Sequence, residues 1–203
     1  MSAGLVLVVD DDPSVANALA RLFRADGLEA ETYPSAEGLL GRESRDLPSC
    51  LVLDIRMPGM GGLDVQDTLR RNRVEIPIVF ITGHADVPTS VQALKAGAID
   101  FIEKPFDDET ILSAVRNGLS KDSERRLEQK HRAEIEARYL TLTPRERQVM
   151  NLVTRGLSNK LVADDLGAAE KTIKIHRGRV MVKMQAGSLP ELVRFADVVS
   201  PGP

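Results

Sequence analysis

The sequence predicts an α/β fold, a doubly wound five-stranded parallel sheet, followed by a second, smaller all-α domain. Across the first 120 residues, short aliphatic runs alternate with helical patterns, as parallel strands buried on both faces require. After Leu140 the pattern is helical, with no strand candidate before the tail of Pro201, Gly202 and Pro203. The length of 203 residues exceeds one ordinary domain and falls short of three.

The strand candidates are Leu5–Val9, a weak run at Glu29–Tyr33, and runs at 51–53, 76–81 and 99–102. Between them, Val15, Ala18, Leu19, Leu22 and Phe23 recur at helical spacing, as do Val87, Val91, Leu94 and Ala98. Five βα units result, and residues 1–120 form the first domain. From residue 119 the apolar positions thin to Leu119, Leu127 and Ile135 in a charged background without Pro or Gly. That composition predicts an exposed helical linker over 121–138, and intervals of eight residues do not make a heptad seam. In the remaining domain, 139–203, Thr143 caps a helix that opens with Pro144. Short helices follow, separated at Gly156-Leu157-Ser158, at Gly167 and at Gly187-Ser188.

Charge is divided unevenly. Residues 1–120 carry 11 Lys/Arg against 19 Asp/Glu, whereas residues 139–203 carry 10 against 6. An acidic first half suits a metal ion and a basic second half suits a polyanion such as nucleic acid, although scattered surface charges also produce such a difference. Cys50 is the single cysteine, which excludes an intrachain disulfide and a thiolate zinc site and fits a reducing cytoplasm. Leu5–Val9 lacks the basic flank and cleavage site of a leader, and no segment is long enough to span a membrane.

Asp10, Asp11 and Asp12 follow the first strand and Asp54 follows the third. In an open α/β sheet, ligands sit beyond the carboxyl ends of the strands where strand order reverses. With order 2-1-3-4-5, that point lies between the first and third strands. Carboxylates converging there would repel one another unless a hard divalent cation sits among them, and Mg²⁺ prefers such an oxygen site. The alternative is that the acids cap helices or decorate a loop. Thr82 closes the fourth strand and Lys104-Pro105 follows the fifth, so a hydroxyl and an ammonium meet the same edge and could receive a phosphoryl group attached to Asp54. Read singly, Thr82 is a strand residue and Lys104 a surface lysine.

Together, Val8-Val9-Asp10-Asp11-Asp12, Leu53-Asp54-Ile55-Arg56-Met57-Pro58-Gly59, Thr82-Gly83-His84 and Lys104-Pro105-Phe106 resemble the receiver domain of two-component response regulators, over about residues 3–120. The resemblance implies a flavodoxin-like fold and Mg²⁺ held by Asp11 and Asp54, with Asp10 close by and the Arg56 backbone carbonyl as a further ligand. It implies phosphoryl transfer from a sensor histidine kinase to Asp54, with Thr82 and Lys104 on the phosphoryl oxygens. It also implies a switch in which Thr82 moves toward the phosphate and the aromatic at 101 swings inward. That residue is Phe101 where many receivers have Tyr, so a step needing a phenolic hydroxyl has no group to perform it here; the alternative for Phe101 is a plain core aromatic. Receivers place a cis peptide at Lys104-Pro105, which proline permits at about 0.5–1 kcal/mol. Arg56 and His84 flank the expected path of a water attacking the phosphoryl group.

Leu142-Thr143-Pro144-Arg145-Glu146-Arg147, Gly156-Leu157-Ser158-Asn159-Lys160 and Lys171-Thr172-Ile173-Lys174-Ile175-His176 resemble the LuxR-type helix-turn-helix over about residues 140–197, and the whole chain then looks like the FixJ/NarL class. The resemblance implies a structural Glu146, a supporting helix near 159–166, and a helix near 169–184 that enters the major groove of promoter DNA. The spacing agrees: Ile173, His176, Val180 and Met184 form one core-facing stripe. Lys171, Lys174, Ile175 and Gly178 fall on another face, with Thr172, Arg177 and Arg179 near them. Lys174 is the expected base reader and the flanking cations are expected on phosphates; the bland alternative is a solvated basic face. His176 reads as a packed histidine. Ala169 stands where the family usually has a capping Ser or Thr, which forfeits ~0.5–2 kcal/mol, and Gly178 inside the helix costs ~1 kcal/mol relative to Ala.

The chain is therefore read as a DNA-binding regulator and not as an enzyme, beyond taking part in its own phosphorylation and dephosphorylation. A homodimer when phosphorylated, paired through about 87–101, is expected, because one helix-turn-helix reads one half-site; RNA polymerase is a further candidate partner. Of the competing readings, an aspartyl-phosphate phosphatase would need a second acid two residues after the nucleophile, where Arg56 stands. An RNA-binding output lacks stacking aromatics on the basic helices; a protein-binding output remains the other alternative.

Overall fold

A computed structural model describes residues 4–43, 45–83 and 86–199. The chain divides between Arg126 and Leu127 into two compact units.

The first unit is built on β1 (Leu5–Val9), β2 (Glu29–Tyr33), β3 (Ser49–Asp54), β4 (Ile78–Thr82) and β5 (Asp100–Glu103), all parallel in the order β2-β1-β3-β4-β5. The strands are joined through α1 (Pro13–Ala25), α2 (Ala36–Leu40), α3 (Gly62–Arg71) and α4 (Val87–Lys95), and α5 (Asp108–Leu140) follows β5. Alternate strand residues serve opposite faces. Val6, Val8, Cys50, Val52, Val79 and Ile81 pack with α1 and the first turns of α5. Leu5, Leu7, Leu51, Leu53, Ile78 and Phe80 pack with α2, α3 and Ala93 of α4. The edge strands β2 and β5 are only partly covered, which explains the weak apolar signal at Glu29–Tyr33. Burial pushes the Cys50 thiol up to about 12, with Asp122 adding to the shift.

The structure adds three details to the spacings read in the sequence. On α1 the core takes Ala16, Leu19, Ala20 and Phe23, while Ala18 is exposed. On α4 the apolar stripe faces outward: Val87, Val91 and Leu94 are 76%, 42% and 46% exposed. Helical spacing identifies an apolar face without saying that the chain itself covers it. The stretch 121–138, expected to be exposed, lies inside the continuous helix α5 and includes buried positions. Asp122 is buried in the first unit, where it accepts from the Ser49 backbone N–H at 2.9 Å, from Arg126 Nε at 2.6 Å and from the Arg125 guanidinium. Ile135 is buried in the second unit, whereas Leu127 is exposed.

The second unit holds the end of α5, α6 (Pro144–Thr154), α7 (Asn159–Leu166), α8 (Glu170–Met184) and α9 (Leu189–Val199). Its core joins Ile135, Met150, Val180, Met184, Leu192 and Phe195 to a second cluster around Val149, Val162 and Ile173. No helix among the described residues is long and apolar enough to cross a membrane.

Candidate functional site: an acidic pocket and a basic helix face

The order β2-β1-β3-β4-β5 puts the reversal of strand order between β1 and β3. Asp10 leaves β1 there, Asp54 ends β3, Thr82 ends β4, and Lys104 follows β5 and is joined to Pro105 by a cis peptide. The Lys104 backbone N–H donates to the Thr82 carbonyl at 2.7 Å, fixing those two strand ends together. Lys104 Nζ donates to Asp10 Oδ2 at 2.7 Å and to Asp54 Oδ2 at 2.9 Å. The other oxygen of each carboxylate accepts a backbone N–H two residues on, from Asp12 at 2.9 Å and from Arg56 at 3.0 Å. Asp10, Asp54 and Thr82 are buried; Asp11 and Arg56 are exposed at the rim.

Burial raises the pKa of Asp10, against the opposing hydrogen bond from Lys104. Burial also works against the Lys104 ammonium, but its hydrogen bonds to Asp10 and Asp54 outweigh it and its pKa is raised. The lysine is thus held charged between two carboxylates.

One carboxylate oxygen from each of Asp10, Asp11 and Asp54 lies within 4.8 Å of the others. Three carboxylates against one ammonium leave an excess of negative charge, and the donors are all hard oxygens, so the residues present fit a divalent cation of the Mg²⁺ type. Asp12 is separate: it caps α1, accepting from the Ser14 N–H at 2.8 Å. The capping alternative therefore applies to the third residue of the triplet.

Phe101 is half-buried against the core on the α3 and α4 side of the sheet. His84 lies outside the described residues. The sequence reading did not single out Gly62: a Cβ there would approach the Asp54 carbonyl oxygen to 2.5 Å, so glycine lets α3 start against the pocket floor.

In the second unit, Thr143 and Glu146 form a capping box at the start of α6. Glu146 is buried and accepts from Lys183 Nζ at 2.6 Å, so the last turn of α8 is tied to the first turn of α6. Burial pushes the Glu146 carboxyl up, yet the Lys183 and Thr143 contacts outweigh it and hold it below its usual range. Arg145 donates to the Leu166 carbonyl at 2.6 Å, tying α6 to the end of α7. Lys183 is a positioning residue that sequence spacing did not reveal.

On α8, Ile173, Val180 and Met184 are buried, and His176 is half-buried with an Nδ1 that has no partner among the described residues. Lys171, Thr172, Lys174, Ile175, Gly178 and Arg179 are exposed. Arg177 is half-buried and donates to Asn159 Oδ1 of α7 at 3.1 Å, so part of its guanidinium is already held within the fold. Ala169 begins α8 with no side-chain cap.

Two family matches coincide with these sites. Residues 6–116 match the family described as "Response regulator receiver domain", and residues 140–196 match "Bacterial regulatory proteins, luxR family". Nodulation protein W of Bradyrhizobium diazoefficiens is 48% identical, over 96% of this chain and 86% of that protein. Transcriptional regulatory protein FixJ of Rhizobium meliloti is 41% identical, over 98% of this chain and 97% of that protein. The solved structure of the response regulator StyR has 44% identity and a TM-score of 0.88, covering 97% of this chain and 99% of that one.

Proposed function

The chain belongs to the response regulators that join a receiver domain to a luxR-family DNA-binding domain, and from that premise we propose that a sensor histidine kinase phosphorylates Asp54 and thereby controls promoter binding by α8. The observation that carries the reading is the Lys104 ammonium bridging Asp10 and Asp54 at 2.7 and 2.9 Å, with Thr82 held beside it by the backbone. A carboxylate oxygen of Asp54 attacks phosphorus as the donor's P–N bond breaks. Lys104 and the Thr82 hydroxyl then meet the phosphoryl oxygens, replacing the ammonium contact to the free carboxylate. Asp10, Asp11, Asp54 and the Arg56 carbonyl are the proposed Mg²⁺ ligands, and the ion would supply charge neutralisation at the transferred group.

The exposed stripe of Val87, Val91 and Leu94, with half-buried Phe101 beside it on β5, supports dimerisation of the phosphorylated receiver through this face. Pairing would let two copies of α8 address two half-sites. On α8, Lys174 is assigned to base edges and Lys171, Arg177 and Arg179 to phosphates, with Thr172, Ile175 and Gly178 at the groove. Placement in the cytoplasm and contact with RNA polymerase belong to the same reading. Genome-wide DNA occupancy, with sedimentation of the protein with and without a small phosphodonor, tests it. Expected are more occupied sites and a doubled mass on phosphorylation; unchanged occupancy and a constant monomer mass would contradict it.

A further inference from the structure

Gly178 differs from the helical glycines Gly62 and Gly118. On α3 a Cβ at Gly62 would come to 2.5 Å from the Asp54 carbonyl oxygen, and on α5 a Cβ at Gly118 would come to 2.6 Å from Cys50 Sγ. Close packing therefore excludes a side chain at both positions. At Gly178 of α8 a Cβ would meet nothing within 4 Å among the described residues, and the backbone does not lie in the left-handed region. The helix runs unbroken from Glu170 to Met184, so the glycine does not mark an interruption.

Neither the fold nor the backbone of this chain requires glycine here. Glycine nevertheless weakens a helix relative to alanine, because it has more conformational freedom to lose. Its cost falls on a helix that already starts at Ala169 without a side-chain cap. What a glycine offers on an exposed surface is close approach of the backbone to something outside. Lys171, Lys174 and Ile175 precede it by seven, four and three residues and are exposed like it, so all four share one face.

We infer that Gly178 is a specificity-determining position, at which the α8 backbone comes into van der Waals contact with base edges in the major groove and a side chain would hold the helix away. The inference rests on the reading of α8 as the DNA-reading helix. It differs from that reading in locating part of the recognition in a missing side chain, where Lys174 supplies it by hydrogen bonding.

The test uses the full chain, a duplex selected by the wild-type protein from a random pool, and a random-sequence duplex. Gly178→Ala is expected to raise the melting temperature of the second unit by about 4–8 °C, and yet to bind the selected duplex about fivefold more weakly. Gly178→Leu should lose about fiftyfold or more on that duplex while binding the random one within about twofold of wild type. A lower melting temperature for Gly178→Ala would overturn the premise that the fold tolerates a side chain. Selected-duplex binding by Gly178→Leu within twofold of wild type, or equal loss on both duplexes, would overturn the inference. Lys174→Ala separates the two levels. If it weakens selected binding while Gly178→Leu does not, Gly178 loses its role and the helix assignment stands; if neither variant matters, both fall.

Discussion

At the carboxyl ends of β1, β3 and β4, Asp10, Asp54 and Thr82 are buried, and Lys104 Nζ already holds two of the carboxylates at 2.7 and 2.9 Å. On α8, by contrast, Lys171, Lys174 and Arg179 stand exposed, and ordering is confined to the helix's other side, where Ile173, Val180 and Met184 are buried. A site that handles a small phosphoryl group must have its charges in place before the group arrives, because reorganising them would raise the barrier. A site that meets a polymer can take its final order from the partner, and its charges act over a distance that salt controls. The contrast predicts that substitutions in the receiver's buried charges act on stability, while those of the exposed cations on α8 act on binding alone.

The largest expected effect is at Asp122, which sits among Ser49, Arg125 and Arg126 away from the Asp54 pocket. Asp122→Ala leaves two guanidinium groups and a backbone N–H without their shared acceptor and should lower receiver stability by about 3 kcal/mol. Denaturant unfolding measures it; a loss under 1 kcal/mol would show that the buried charge is not needed. Although burial alone would raise the Asp122 carboxyl, Arg125 and Arg126 outweigh it and its pKa is lowered. A carboxyl depressed in the folded state contributes stability above its unfolded value, about 3.9, and loses that contribution as pH falls through the folded value. Asp122→Asn should therefore flatten the acid limb of the stability profile.

Next in size is Lys174→Ala, expected to cost ~1–3 kcal/mol on a selected duplex and to relax base preference, with an unchanged melting temperature. Equal loss on selected and random duplexes would remove its base-reading role. Smaller and less selective effects belong to Lys171→Ala and Arg179→Ala, which should weaken both duplexes alike and flatten the salt slope by roughly one unit each. Smallest is Ala169→Ser, which supplies the missing cap and should stabilise the second unit by ~0.5–1 kcal/mol with little change in DNA affinity. A large gain in affinity from this substitution would mean that α8 is disordered before it binds, contrary to its buried inner face.

The central strands and the meeting of Asp10, Asp54, Thr82 and Lys104 were legible for the same reason: a buried parallel strand is a continuous apolar run, and each of these residues sits at or just past the end of one. Other features left no local signal. Asp122 meets Ser49 across 73 residues, and Lys183 meets Glu146 across 37, so neither pairing shows as a spacing along one element. Periodicity marks Val87, Val91 and Leu94 as an apolar face without naming what covers it, and the exposure of that face comes from the structure. On α8 the core stripe was readable from spacing, whereas the tether of Arg177 to Asn159 depends on how α7 packs beside it.

The claim that Asp54 is the phosphoacceptor is tested most directly by incubating the wild-type chain and Asp54→Asn with a radiolabelled small phosphodonor in Mg²⁺ and counting acid-labile phosphate. The account predicts label approaching one phosphoryl group per wild-type chain and none on the variant. Comparable label on Asp54→Asn would contradict it, whatever the geometry around Lys104.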